Sequence, residues 1–204
     1  MIFVDFENRA RNELFFENAR ITATTLPAMD AASKTPCRLT IRLKAEKTNR
    51  VSGSGAVVAP VRPGKPWLPN FRLQVGRLET RRISMIEPLT AVADNGAIDF
   101  GDLRLLVSAQ EAKDWSDWHH SFVVEGRNDE KSGTLTFLAP DLKNELGHVT
   151  LQGLGIHRLA LEPVSERTEA IPRFAAELYC KRMELAVQGS REPSAAPLAE
   201  TTVS

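Results

Sequence analysis

The sequence predicts a mainly β fold, an antiparallel sandwich or barrel flanked by one α-helix. Leu39, Ile41 and Leu43 alternate strictly with Arg38, Thr40, Arg42 and Lys44, which is the period of a half-buried strand with a basic outer face. Runs rich in β-branched and other β-prone residues recur at 71–75, 83–89, 103–107, 135–138, 149–161 and 173–185. Only residues 108–124 repeat at helical spacing, with Ala112, Trp115, His119 and Phe122 along one face.

Taken in order, residues 12–26 read as β-prone, and the short small-residue connection 27–36 lets them pair with 39–44 as a wide hairpin. Glycines and prolines then crowd residues 51–66, which read as a loop or linker because both residue types interrupt helices and ladders. A loop of this length tends either to be disordered or to bind something. Val57, Val58 and Val61, with Trp67 just beyond, make it apolar enough to dock on a neighbour and are its candidate assembly contacts.

The helix is expected to open at Ser108, where Ser108-Ala109-Gln110-Glu111 has the capping-box form. Trp115, Trp118 and Phe122 would anchor it on a sheet, and burying such side chains is worth about 1.5–3 kcal/mol each. Gly153 and Gly155 inside a β-prone run predict a bulge or bend. Residues 187–204 are mostly Ser, Ala, Pro, Thr and charged residues, too poor in large apolar side chains to offset ordering entropy, so a disordered tail is expected. The organisation is therefore a β-hairpin segment at 1–50, a loop at 51–66, a β domain with one helix at 67–186, and the tail. A short repeat, Asn12-Glu13-Leu14 against Asn144-Glu145-Leu146, hints at two related halves.

Bulk properties exclude several classes of function. Lys plus Arg and Asp plus Glu both number 26, so no global charge steers the chain to nucleic acid or an anionic membrane. No apolar run approaches the roughly 20 residues of a membrane helix, and the acidic and basic residues among 1–11 do not form a secretion signal. Cys37 and Cys180 lie far apart without metal-ligand spacing, which suits a reducing compartment and predicts assembly in the cytoplasm.

Reacting groups are missing from the pattern. Glu111, Asp114, Asp117, His119 and His120 include metal-ligand types, yet adjacent histidines on a helix diverge by about 100° and no H-E-x-x-H motif is present. His148 and His157 have no partner pattern. Gly53-Ser54-Gly55 and Gly153-Leu154-Gly155 open no helix, so they are turns rather than phosphate loops. No catalytic residue, metal or cofactor is expected, and the chain does not read as an enzyme. Its best electrostatic feature is the face of Arg38, Arg42 and Lys44, a candidate lumen or partner surface.

Two stretches carry a resemblance to a family. One is Glu13-Leu14-Phe15-Phe16-Glu17-Asn18-Ala19 with Leu26-Pro27-Ala28-Met29-Asp30. The other runs from Trp67-Leu68-Pro69-Asn70-Phe71 through Ile86-Glu87-Pro88-Leu89 and Asp114-Trp115-Ser116-Asp117-Trp118 to Gly153-Leu154-Gly155-Ile156 and Ala176-Glu177-Leu178-Tyr179-Cys180. These resemble the tail tube proteins of contractile-tailed phages and related bacterial contractile injection systems, over most of residues 5–186. The resemblance implies a twisted β-sandwich or barrel, and six copies closing a ring whose strands line a hollow tube. Residues 1–50 resemble the end of such a repeat whose front half is absent, as in the C-terminal part of a two-repeat member.

The expected function is thus that of a non-enzymatic structural subunit of a phage tail or injection particle. Its partners would be other copies of itself in a ring and other tail components, with nucleic acid at most passing through a lumen. The rival is a monomeric β-barrel module binding an oligonucleotide or protein, with Arg72, Arg81 and Arg82 contacting phosphate, although the interleaved exposed aromatics needed for base stacking are not evident.

Overall fold

A computed structural model describes residues 1–57, 67–94, 96–162 and 172–187. In chain order the strands are β1 (Ile2–Val4), β2 (Ala10–Glu17), β3 (Arg20–Leu26), β4 (Met29–Asp30), β5 (Thr40–Lys44), β6 (Lys47–Ser52), β7 (Phe71–Val75), β8 (Ile83–Ile86), β9 (Leu89–Asp94), β10 (Ala97–Phe100) and β11 (Leu103–Ser108). Helix α1 (Ala112–His119) and a π-helical turn (His120–Val124) follow, then β12 (Lys131–Leu138), β13 (Glu145–Leu161) and β14 (Arg173–Val187). Strands make up 58% of the described residues and helix 8%, so the mainly β class with one α-helix is the fold observed.

The core belongs to a seven-stranded antiparallel sheet in the order β4-β8-β11-β14-β13-β12-β7, curled into a half-barrel. Its inner face alternates Leu73, Val75, Leu105, Val107, Leu135, Val149, Leu151 and Leu178, all buried, with outward polar residues. Helix α1 covers this face. Trp115 is 0% exposed and Trp118 4%, and each indole N–H finds a carbonyl, Glu79 O at 3.1 Å and Asp129 O at 2.9 Å. Both rings are thereby buried without an orphaned donor. Phe122 packs edge-on against Trp118 at 6.3 Å, and the Lys131 ammonium lies over the Trp118 ring at 5.0 Å.

The helix begins later than the capping box predicts. Ser108 is still a strand residue, paired with Arg173, and Glu111 turns its carboxylate away to accept the backbone N–H of Arg82 at 3.1 Å. Tertiary pairing has taken the Ser108 backbone and the Glu111 carboxylate, and the Ser108 hydroxyl accepts the Gln110 N–H at 3.4 Å ahead of the helix instead of capping it. At Gly153 the expected bulge is present: Leu154 and Leu151 face Lys131 and Gly133, leaving one extra residue in β13, and Gly153 adopts φ +64.

The N-terminal region differs more. Residues 12–26 are not one strand, because Asn18 at φ +50 breaks them into β2 and β3. The pairing of this region with 39–44 is real but confined to β3 and β5, while β2 pairs with β6, a strand that ends inside the segment read as loop. Residues 10–26 and 40–52 form one antiparallel ribbon with a corner at 18–19 and 45–46, where the Asn18 amide donates to Glu46 at 2.9 Å. Beyond the corner β1-β2-β6 form a three-stranded sheet; on the near side β3 and β5 join the β9–β10 hairpin as a four-stranded sheet, β10-β9-β3-β5.

Candidate assembly surface

The four-stranded sheet has two unlike faces. Cross-strand pairing sets Arg42, Ala23, Val92 and Asp99 in one row, with Lys44 beside Arg42 along β5 and Asp94 beside Val92 along β9. Its basic end is therefore at β5 and its acidic end at β10. The opposite face carries Ile41, Thr24 and Ala91, with Leu26, Leu89, Ile98 and Phe100. Part of it meets Val149, Met183 and Leu185 across an apolar groove of about 220 Å³. A second cavity of about 290 Å³ adjoins it through Leu26 and Leu185 and is walled by Cys37, Leu39, Trp67 and Phe137. Burial in this setting pushes the Cys37 thiol pKa up.

The predicted half-burial of β5 is not what the structure shows. All five of its residues are exposed, including Ile41 at 49% and Leu43 at 55%, as are the flanking Leu39 and the cross-strand Ile21. Alternation marks a strand with an apolar face; covering that face requires another layer, and at this edge of the sheet no described residue supplies one.

Sheet edges differ in how they end. At β7, Asn70 and Gly76 bond inward to β12, so Phe71, Leu73 and Val75 present their backbone groups outward. The Leu73 carbonyl there accepts the Thr80 hydroxyl at 2.6 Å and the Val75 carbonyl accepts Leu78 N–H at 2.9 Å. The turn after β7 thus blunts that edge. At β10, Gly101 N–H bonds inward to Thr90 O at 2.8 Å, which leaves Ile98 and Phe100 facing outward. At β5 the Arg42 carbonyl turns inward to the Thr22 hydroxyl at 3.3 Å, which leaves Ile41 and Leu43 facing outward. Neither edge has a capping bond among the described residues.

The three-stranded sheet beyond the corner exposes aromatic groups on both faces. Phe15 (51%) shares one face with Glu13 and Glu17, while Phe16 (41%) shares the other with Leu14 and Arg50. Arg50 lies 5.8 Å from the Phe3 ring centroid.

Of the candidate contacts read from the sequence, Val57 bridges Arg9 and is 71% exposed, while Val58 and Val61 lie outside the described residues. Trp67 is half-buried against Phe137, 5.5 Å between rings. Arg38, Arg42 and Lys44 are exposed and enter no ion pair among the described residues, and Arg20 directly opposes Lys44. Of the arginines that favoured oligonucleotide binding, Arg81 pairs with Glu79 at 3.4 Å and Arg82 with Glu111 at 3.9 Å, which reduces their availability to phosphate. On the helix, Lys113 and Asp117 form an exposed i,i+4 pair; His148 pairs with Glu145 and His157 with Asp102. The described residues contain no group of His, Cys, Asp and Glu arranged to hold a metal ion, and no helix long and apolar enough to cross a membrane.

Asp94, Ile98 and Asp99 were missed, although Asn95-Gly96 between two β-prone runs is a strong hairpin signal and would have located them.

The class defined by this geometry is a mainly β protein with a curled, helix-covered sheet and a second sheet open at both ends. No protein-family model matches the chain, and no curated protein matches it. Among solved structures it is similar to Hcp1 from Flavobacterium johnsoniae, at 10% identity and TM-score 0.37, over 61% of this chain and 89% of that one. It is also similar to a chain of the anti-feeding prophage (AFP) baseplate in its 6-fold symmetrised cryo-EM structure, at 9% identity and TM-score 0.40, over 82% of this chain and 93% of that one.

Proposed function

We propose that the chain is a non-enzymatic structural subunit of a contractile injection-type tube or its baseplate end, working by self-assembly through its four-stranded sheet. The observation that carries this reading is the pair of unlike open edges, β5 with outward Ile41 and Leu43 beside Arg42 and Lys44, and β10 with outward Ile98 and Phe100 beside Asp99, with Asp94 on the adjoining β9. Laid side by side in neighbouring copies, the two strands exchange backbone hydrogen bonds, bring apolar side chains together on one face and oppose charges on the other. Because the joined patches differ, the contact is head-to-tail; it closes a ring if the rotation permits and otherwise extends a filament. The polar face, with Arg42 and Lys44, would then border the lumen. Exposed charge pairs add little affinity but set register and partner choice.

Charge exchange tests this. Arg42→Asp and Asp99→Arg should each reduce assembly of the full chain, measured by analytical ultracentrifugation and negative-stain microscopy, and the double variant should restore it. A chain that stays monomeric at every concentration, or assembly indifferent to all three variants, overturns the proposal. Monomers that bind oligonucleotides with steep salt dependence would support the rival binding module instead.

A further inference from the structure

We infer that Ile41 and Leu43 of one copy seat at the apolar groove beside β10 of the next, in a single strand register that charge selects. The inference rests on the self-assembly reading and deepens it by naming what the groove holds. The four-stranded sheet is antiparallel at every step of β10-β9-β3-β5, so its two edge strands run in opposite directions. A neighbour turned about an axis along the strands therefore brings its β5 antiparallel to β10. The outward residues of the two edges, Ile98 and Phe100 on one and Ile41 and Leu43 on the other, are also those whose side chains lie on the apolar face. Backbone bonding between them puts all four side chains on one side of the joined sheet. There Ile98 and Phe100 already wall the groove of about 220 Å³ opposite Met183 and Leu185 of β14. Leu43 of the next copy falls beside Ile98 and Ile41 beside Phe100, so side chains left bare on their own sheet gain the cover it lacks.

A slip of one residue would turn the apolar side chains to the wrong face, so the competing registers differ by two. With Leu43 opposite Ile98, Arg42 falls opposite Asp99 and Lys44 opposite Ala97, and all four residues of β10 are paired. Asp94 is the cross-strand neighbour of Ala97, so the long Lys44 side chain reaches it over a methyl group. Arg42, Lys44, Asp94 and Asp99 are exposed on the polar face and enter no ion pair among the described residues. Arg20 opposes Lys44 within the same copy, and the incoming acid offsets that like-charge pair. A slide one way sets Asp99 against Thr40; a slide the other way sets it against Lys44 but pairs only Asp99 and Phe100 of β10 with β5. Either slide makes at most one of the two charge pairs, which leaves the first register favoured.

Disulfide trapping reads the register. Lys44 and Ala97 form a non-hydrogen-bonded pair in it, with Cα atoms about 4.5 Å apart, which a disulfide can bridge. Within one copy β5 and β10 stand three strand spacings apart, roughly 14 Å, too far for that bond. Full-length chain carrying Cys37→Ser with Lys44→Cys and Ala97→Cys, oxidised with diamide, should therefore give reducible species at multiples of the chain mass. The slid pairs, Arg42→Cys with Ala97→Cys and Lys44→Cys with Asp99→Cys, should not. Leu185→Gln tests the groove itself: it should raise the concentration needed for assembly at least tenfold and leave the melting temperature of the monomer unchanged, because Leu185 is exposed there. Cross-linking through a slid pair, particles that form without the expected cross-link, or normal assembly of Leu185→Gln overturns this seating alone. A chain that never assembles overturns the self-assembly reading and this contact with it.

Discussion

The ring of Tyr179 lies flat across the backbone of Gly155, its cross-strand partner, so that a Cβ built on Gly155 would meet the ring at 2.3 Å. The ring cannot swing aside cheaply, because its hydroxyl donates to Glu130 at 2.5 Å and Phe122 stands 6.2 Å away. Gly155→Ala should therefore lower stability by about 1–3 kcal/mol through overpacking. Denaturant unfolding checks it, and adding Tyr179→Ala should recover part of the loss, a non-additivity that a simple loss of backbone freedom would not produce.

Tyr179 is the only tyrosine in the chain, so its ionisation can be followed directly by the near-ultraviolet phenolate band. Burial, then the hydrogen bond and charge of Glu130, push its pKa up to about 12 from the ordinary 10.0. Folding holds the phenol proton more tightly, so this contribution to stability is complete below pH 10 and is lost as pH rises towards 12. Glu130→Gln should lower the midpoint without returning it to 10, since burial remains.

Glu130 behaves in the opposite sense. Hydrogen bonds from Lys181 and Tyr179 hold its carboxyl below the ordinary 4.5, so its contribution is present above that value and disappears as pH falls through the lowered one. Acid unfolding of Glu130→Gln should start from a lower plateau near neutrality and converge with the unaltered chain at low pH.

Trp115→Ala should cost about 3–5 kcal/mol and Trp118→Phe about 1–2 kcal/mol, the second by deleting only the donor to the Asp129 carbonyl and some ring area. Chemical denaturation measures both. By contrast, Ile41→Ser with Leu43→Ser should change monomer stability by no more than about 0.5 kcal/mol per site, because both side chains are already exposed; their effect should appear in assembly.

Local pattern was enough to read the strand at 39–44, the bulge at Gly153 and the tryptophan face of α1, because each depends on side-chain period or on a backbone requirement near the residue itself. It could not reveal that Leu43 lies bare, since burial depends on whether a distant layer covers the strand. Nor could it delay the helix start, because Ser108 is held by Arg173 and Glu111 by Arg82, partners remote in sequence. Pro88 separates β8 from β9 within a run that period alone reads as one strand. The candidate surface was half legible: its cations lie on a visible alternation, whereas their counterpart at Asp99 becomes apparent only when β10 is placed three strands away.

The corner at Asn18 makes the outer arm a phase-sensitive element. Inserting a single residue there would turn every β2 side chain beyond it to the other side of the pleat, exchanging Phe15, flanked by Glu13 and Glu17, for Phe16, flanked by Leu14.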